Sequence, residues 1–149
     1  VVGRVRQERE DQVNVRYTTQ TAYERIRAYF SKKGAEFAMD PATGNCRYRT
    51  SEGRKCAVGC LVPDSLYDYV HENVPADDML HELCDMSEEA FLMFEHVDEG
   101  FLVEAQTAHD YEAMGRTSEL PGEYHDPSVA AFIEKLDVAA RSAGLEVVA

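Results

Sequence analysis

The apolar positions of the chain fall into helical stripes separated by turn signals. Tyr23, Ile26, Phe30 and Phe37 lie near one 3.6-residue stripe. Thr21 and Glu24 stand at capping-box spacing. Lys32, Lys33 and Gly34 place positive charge in a last turn, followed by a residue that accepts positive φ. This pattern predicts a helix over 20–33, with Phe37 in a loop folded back on it. Ahead of the helix, Val13, Val15 and Tyr17 alternate as in a short edge strand, and residues 1–17 read as an N-terminal arm.

Residues 40–55 are rich in turn formers. Residues 46–50 read as a short strand, Ser51-Glu52-Gly53 as a turn, and 54–58 as the returning strand. The stretch 56–62 equally begins a helix, and periodicity over seven residues does not decide. From Pro63 onward the signals are helical. Pro63-Asp64-Ser65 opens a short helix through 70. Pro75 opens another, with Met79, Leu80, Leu83 and Cys84 on its apolar side. Ser87 caps a third, with the stripe Phe91, Phe94 and Val97. Gly100 is a point of interruption, and Phe101, Leu102, Ala105, Ala108 and His109 carry the pattern to 113. After a loop over 114–125, Asp126 is the expected N-cap of the last helix and Pro127 its first residue. Val129, Phe132, Ile133, Leu136, Ala139, Ala140 and Ala143 form its stripe, and Gly144 ends it. The expected fold is mainly α: a small helical bundle with a short β-hairpin inserted after the first long helix. It forms a single helical domain, 18–149, behind the arm.

Composition narrows the class. At 149 residues with 44% hydrophobic residues, the chain is long enough to bury a core. No apolar run approaches the ~18 residues of a membrane span, and the charged N-terminal stretch lacks the apolar region of a secretory signal. The four cysteines, Cys46, Cys56, Cys60 and Cys84, therefore read as free thiols of a reducing cytoplasm.

Charge changes the picture more. Residues 1–56 hold 12 Lys/Arg against 7 Asp/Glu, net +5, and residues 57–149 hold 3 against 21, net −18. Between Lys55 and Arg116 there is no Lys or Arg, while 15 acids run from Asp64 to Glu112. A field of one sign repels nucleic acid and attracts basic partners. The Arg47-Tyr48-Arg49 cluster is too small to reverse that, so direct nucleic-acid binding is not expected. The apolar stripes force Asp77, Asp78, Glu82, Glu88, Glu89, Glu95 and Glu99 outward, as an acidic surface for a basic protein partner. An intramolecular alternative is that Arg25, Arg27, Arg47 and Arg49 neutralise the same acids.

One block has a familiar look. Cys46-Arg47-Tyr48-Arg49, then Lys55-Cys56-Ala57-Val58-Gly59, an apolar pair, Pro63-Asp64 and Tyr67-Asp68, with Gln106-x-x-His109-Asp110 further on, resembles a family of small uncharacterised phage, prophage and bacterial proteins. The resemblance covers roughly 20–112, and the block from Lys55 to Asp68 is its more specific part. Ala105 departs from it, standing where Leu usually precedes the Gln. The resemblance implies a phage or bacterial cytoplasmic setting and brings no activity with it.

Three constellations carry candidate chemistry. Cys56 follows Arg54 and Lys55, whose charge favours a thiolate, so Cys56 with His109 as base and Asp64 or Asp110 as orienting carboxylate is a candidate hydrolase or transferase set. Asp110 is the poorer choice, because adjacent helical residues point ~100° apart. Cys56 and Cys60, four apart, could share a metal with Cys46, Cys84, His81 or His109, although no zinc-ribbon spacing is present. His109, on a core-facing stripe, needs a hydrogen-bond partner, for which Asp64 or Asp68 is expected. No phosphate-cradling glycine motif and no EF-hand loop occur, and no cofactor is expected. The sequence thus leaves an acidic binding or regulatory module, a DNA mimic being one form, beside a cysteine enzyme and a virion component held through its arm.

Overall fold

The structure, a computed structural model, describes residues 15–40, 42–115 and 126–148. It is mainly helical. The helices are α1 (Thr19–Phe30), α2 (Ala76–Met86), α3 (Glu88–Phe94), α4 (Glu99–Ala113) and α5 (Val129–Ser142), with 3-10 helices at Gly59–Leu61 and Asp64–Tyr69. None is long and apolar enough to cross a membrane.

The first helix, expected over 20–33, spans Thr19–Phe30, and its N-cap lies three residues before the Thr21 that heads the expected capping box. Thr18 is the N-cap. Its Oγ1 accepts from Thr21 N at 3.1 Å, while Thr21 Oγ1 accepts from Thr18 N at 2.8 Å. Thr21 is thus the reciprocal member of the capping box rather than its head. Ala22, Tyr23, Ile26 and Phe30 are buried; Gly34 takes the expected positive φ, +80°, but the helix ends before Lys32 and Lys33, with Ser31 as its C-cap. Of the arm, 1–14 lie outside the described residues. Its end is embedded, not strand-like: the Tyr17 N–H donates to Met93 O at 2.9 Å and its hydroxyl to Leu61 O at 3.0 Å.

The expected β-hairpin does not form. Only isolated bridges, Met39 to Cys46 and Arg49 to Lys55, mark where it would lie, although Gly53 turns the chain with φ +85°. Both ends of the next ladder bond are taken. Tyr48 N donates to the Glu72 side chain at 2.7 Å, and the Cys56 carbonyl that it would pair with accepts from Cys60 N at 3.0 Å, where the chain turns into the 3-10 helix.

Ser87 caps α3 as expected, accepting from Ala90 N. The stripe is rotated, however: Ala90, Met93 and Phe94 face inward and Phe91 is 49% exposed. The chain breaks before α4 at Asp98, whose side chain accepts from Gly100 N at 2.9 Å, so Gly100 begins a helix instead of interrupting one. Likewise α5 is capped by Ser128, accepting from Ala131 N, and Asp126 and Pro127 precede the cap. A hydroxyl beside the first turn outcompetes a carboxylate two residues away.

The core gathers where α1, α4 and α5 meet. Phe132 packs 4.8 Å from Phe30 and 6.1 Å from Phe37, centroid to centroid. Burial of each such ring contributes roughly 1.5–3 kcal/mol. In the second layer α2 packs against α4 and carries α3 on its other contacts.

Candidate functional site

The motif residues of the first half and those of α4 converge on one place. His109 is fully buried, its ring 5.1–6.0 Å from the rings of Phe30, Phe37 and Phe132. Both nitrogens are engaged. Nε2 accepts the backbone N–H of Ala38 at 3.2 Å, and Nδ1 lies 2.9 Å from Asp110 Oδ1. An N–H aimed at Nε2 requires a lone pair there, so the neutral ring carries its proton on Nδ1 and donates it to Asp110. The expected partners are corrected: Asp64 and Asp68 are exposed, and the neighbour judged unsuitable from helix geometry is the one used. Asp110 reaches sideways to the ring edge, a contact that the ~100° angular separation does not forbid.

Asp110 is a collecting point. Gln106 Nε2 donates to the same oxygen at 2.9 Å, and Gln106 Oε1 accepts from Val58 N at 3.1 Å. The Cys46 sulfur lies within 4.8 Å of the Asp110 carboxylate as well. Gln106 and Cys46, named in the sequence only through the motif and, for Cys46, as a possible metal ligand, take their places here as neighbours of Asp110. Gln106 was findable, since it stands four residues before Asp110 and shares its helical face.

The chemistry available follows from these positions. Cys56, the expected nucleophile, is fully buried. Burial pushes its thiol well above the ordinary range, and its sulfur accepts from Gly59 N at 3.1 Å. Asp64 pairs elsewhere, so the Cys56, His109, Asp64 set does not assemble. Burial likewise raises Cys60 to about 12, and raises Cys46, with the nearby Asp110 carboxylate adding to the effect. Cys84 is raised by burial and by Asp85 and Glu99. All four thiols are free and none is poised as a thiolate.

The expected metal set is not brought together either. Cys60 donates to Ala57 O, while Cys84 and His81 line a separate groove. Among the described residues, the one group with metal-ligand proximity is Cys46, His109 and Asp110, whose donor atoms lie within 4.8 Å of one another. The tautomer argues against a metal here. With Nε2 committed as an acceptor, Nδ1 holds a proton where a metal needs a lone pair. The cluster is a hydrogen-bonded clamp, with an open cleft of about 320 Å³ reaching Cys46 and Asp110 from the side of Asn73 and Val74.

The remaining motif residues support this clamp. Arg49 donates to Asp64 Oδ1 at 2.6 Å and to the Val62 carbonyl, and its guanidinium lies 4.5 Å from the Tyr67 ring centroid. The Tyr67 hydroxyl donates to Glu72. A Cβ on Gly59 would stand 2.1 Å from Tyr48 O, so only glycine fits. Glu72 was not singled out in the sequence, because a lone acid between two helices carries no spacing signal.

The acids form the second candidate site. Asp78, Glu88, Glu89 and Glu95 are exposed, and Asp77, Glu82 and Glu99 half-buried. Three of the four arginines named as neutralisers go elsewhere: Arg27 to Asp137, Arg47 to Asp40 and Glu72, Arg49 to Asp64. Among the described residues, the seven acids form ion pairs only with histidines: Glu82 with His71 and Glu99 with His81, both at 2.6 Å, and Glu95 with His96 at 3.2 Å. Five of the seven stand in first turns, of α2, α3 and α4, where the helix dipole favours them. The dipole accounts for their positions but not for the missing lysines and arginines around them. Between α2, α3 and α4 runs an apolar groove of about 250 Å³, with Leu80, Cys84, Phe91 and Val97 in its lining and His81, Glu95 and Glu99 beside them.

Compared with protein-family models, with curated proteins and with solved structures, the chain matches none of them.

Proposed function

We propose that the protein is a binding or regulatory module whose α2–α3–α4 face engages a basic protein partner. The observation that carries this reading is the pairing pattern. Four arginines of the front half, Arg27, Arg47, Arg49 and Arg54, have carboxylate partners, whereas the seven acids of this face have no Lys or Arg partner among the described residues. Like charges held on neighbouring turns cost roughly 0.2–0.5 kcal/mol per pair, a cost that a basic partner removes on docking. In the phage or bacterial cytoplasm implied by the motif resemblance, the partner is a host or phage protein with a basic face. A DNA mimic, with carboxylates in the place of phosphates, is one form of the same reading. The raised thiols and the clamped His109 lend no support to the cysteine-enzyme alternative.

The test is titration of a lysine-rich peptide into the protein at rising ionic strength. Binding that weakens steeply with salt, and that is lost in the combined Glu82→Gln, Glu88→Gln, Glu89→Gln and Glu95→Gln variant, is expected. Unchanged binding in that variant would sink the proposal.

A further inference from the structure

Charge alone does not explain the face, because an apolar groove lies within it. Phe91 is 49% exposed on a seven-residue helix that buries Ala90, Met93 and Phe94 instead. Its ring is left on the wall of the groove between α2, α3 and α4, opposite Leu80 and Cys84 of α2 and beside Val97. Met86, at the end of α2, is 57% exposed. An aromatic ring held half in water on an otherwise acidic surface marks a place where another apolar group lands.

The dimensions say what kind of group. A volume of about 250 Å³ falls below the ~300–1,000 Å³ typical of pockets for cofactors and drug-sized molecules. It suits one large side chain delivered by a protein. The rim supplies the second requirement. Glu95 and Glu99 border the groove, Glu88 and Glu89 precede Phe91 on the same helix, and the one basic group in the lining is the His81 imidazole. An anchor entering here is met by carboxylates, so the residues flanking it carry positive charge.

We infer that the groove takes a basic amphipathic segment, one large apolar side chain between Lys or Arg residues, with the anchor against Phe91 and the flanking cations on Glu95 and Glu99. This inference rests on the proposed binding role of the acidic face and adds the anchor that gives it specificity. Rim charges of this kind steer and select, while the central apolar contact holds.

The chain contains no tryptophan, so a peptide's single Trp reports on itself. The probes are two synthetic helical peptides with identical lysines, one with Trp at the centre and one with Ser in its place. The Trp peptide is expected to bind about tenfold tighter or better, with blue-shifted emission, and Phe91→Ser should reduce its affinity to that of the Ser peptide. A thermal melt of Phe91→Ser checks that the fold survives, as expected for a half-exposed position. Equal, salt-sensitive binding of both peptides overturns the anchor and leaves the acidic-face reading standing. Failure of both peptides to bind overturns the acidic-face reading itself. Self-association of the protein that Phe91→Ser abolishes, seen by sedimentation, overturns the basic partner in favour of a second copy of this chain.

Discussion

The clamp around His109 and the face carried by α2 and α3 treat polar groups in opposite ways. At the clamp, each nitrogen of His109, both ends of the Gln106 amide and the Asp110 carboxylate have a partner inside the molecule. On the acidic face, carboxylates stand together with histidines as their only ionic partners among the described residues. The difference teaches where to look for function. Polar groups satisfied internally hold the fold. Charges left for solvent, next to an exposed Phe91, are available to another molecule.

The comparison breaks most sharply at Gly59. The Gly59→Ala Cβ meets the backbone of Tyr48 at 2.1 Å, which no rotamer relieves, so a loss of more than about 4 kcal/mol is expected in a denaturant titration. A loss below about 1 kcal/mol would mean that the Cys56 to Leu61 turn packs more loosely on the hairpin region than described. Next in size is His109→Ala. It opens a cavity among Phe30, Phe37 and Phe132 and strands the Ala38 N–H, for an expected loss of about 3 kcal/mol. Neutral behaviour of that variant would remove the clamp's structural role.

Stability against pH sharpens the same contrast, because the responsible groups belong to the internally paired part. Burial raises Asp137, but hydrogen bonds from Arg27 and Tyr23 outweigh it and hold the carboxyl below its ordinary 3.8. Its folded value is the lower one, so its contribution is present above pH 3.8 and is lost as pH falls through the folded value. Burial raises Cys60, Tyr17 and Tyr67 to about 12 each, from 9.0 for the thiol and 10.0 for the phenols. Their contribution is complete below those ordinary values and is lost as pH rises toward about 12. Thermal melts across pH should therefore fall off below about 3.8 and above about 9. A melting temperature that stays level from pH 9 to 11 would contradict the burial of these three groups. The smallest expected effect lies on the other face. Converting Glu88, Glu89 and Glu95 to Gln should change stability by no more than about 0.5 kcal/mol each, since all three are exposed and only Glu95 has an ionic partner, the His96 imidazole. A large loss would show that these acids hold the fold and would weaken the case for a partner.

Where the sequence spoke clearly, it did so through local rules. The helices fell near their expected places because the 3.6-residue stripes of Ile26 and Phe30, of Met79 and Leu83, and of Phe132 and Leu136 must each be buried. Gly34, Gly53 and Gly144 took the positive φ that their positions after helices or in a turn required. The burial of Cys56 followed from its apolar neighbours, and the charge asymmetry was visible at once. Tertiary structure decided what local rules leave degenerate. Glu72, more than 20 residues away, took the N–H of Tyr48, and Cys60 N took the Cys56 carbonyl, so a hairpin with a well-placed turn did not become one. Neighbouring helices chose Met93 over Phe91 for burial, because a helix of seven residues offers two overlapping apolar faces and packing selects between them. His109 found Asp110 and Ala38 because a buried imidazole takes whichever partners the folded chain brings within about 3 Å. Short-range periodicity is written along the chain. The choice among equally spaced partners is made only when distant segments meet.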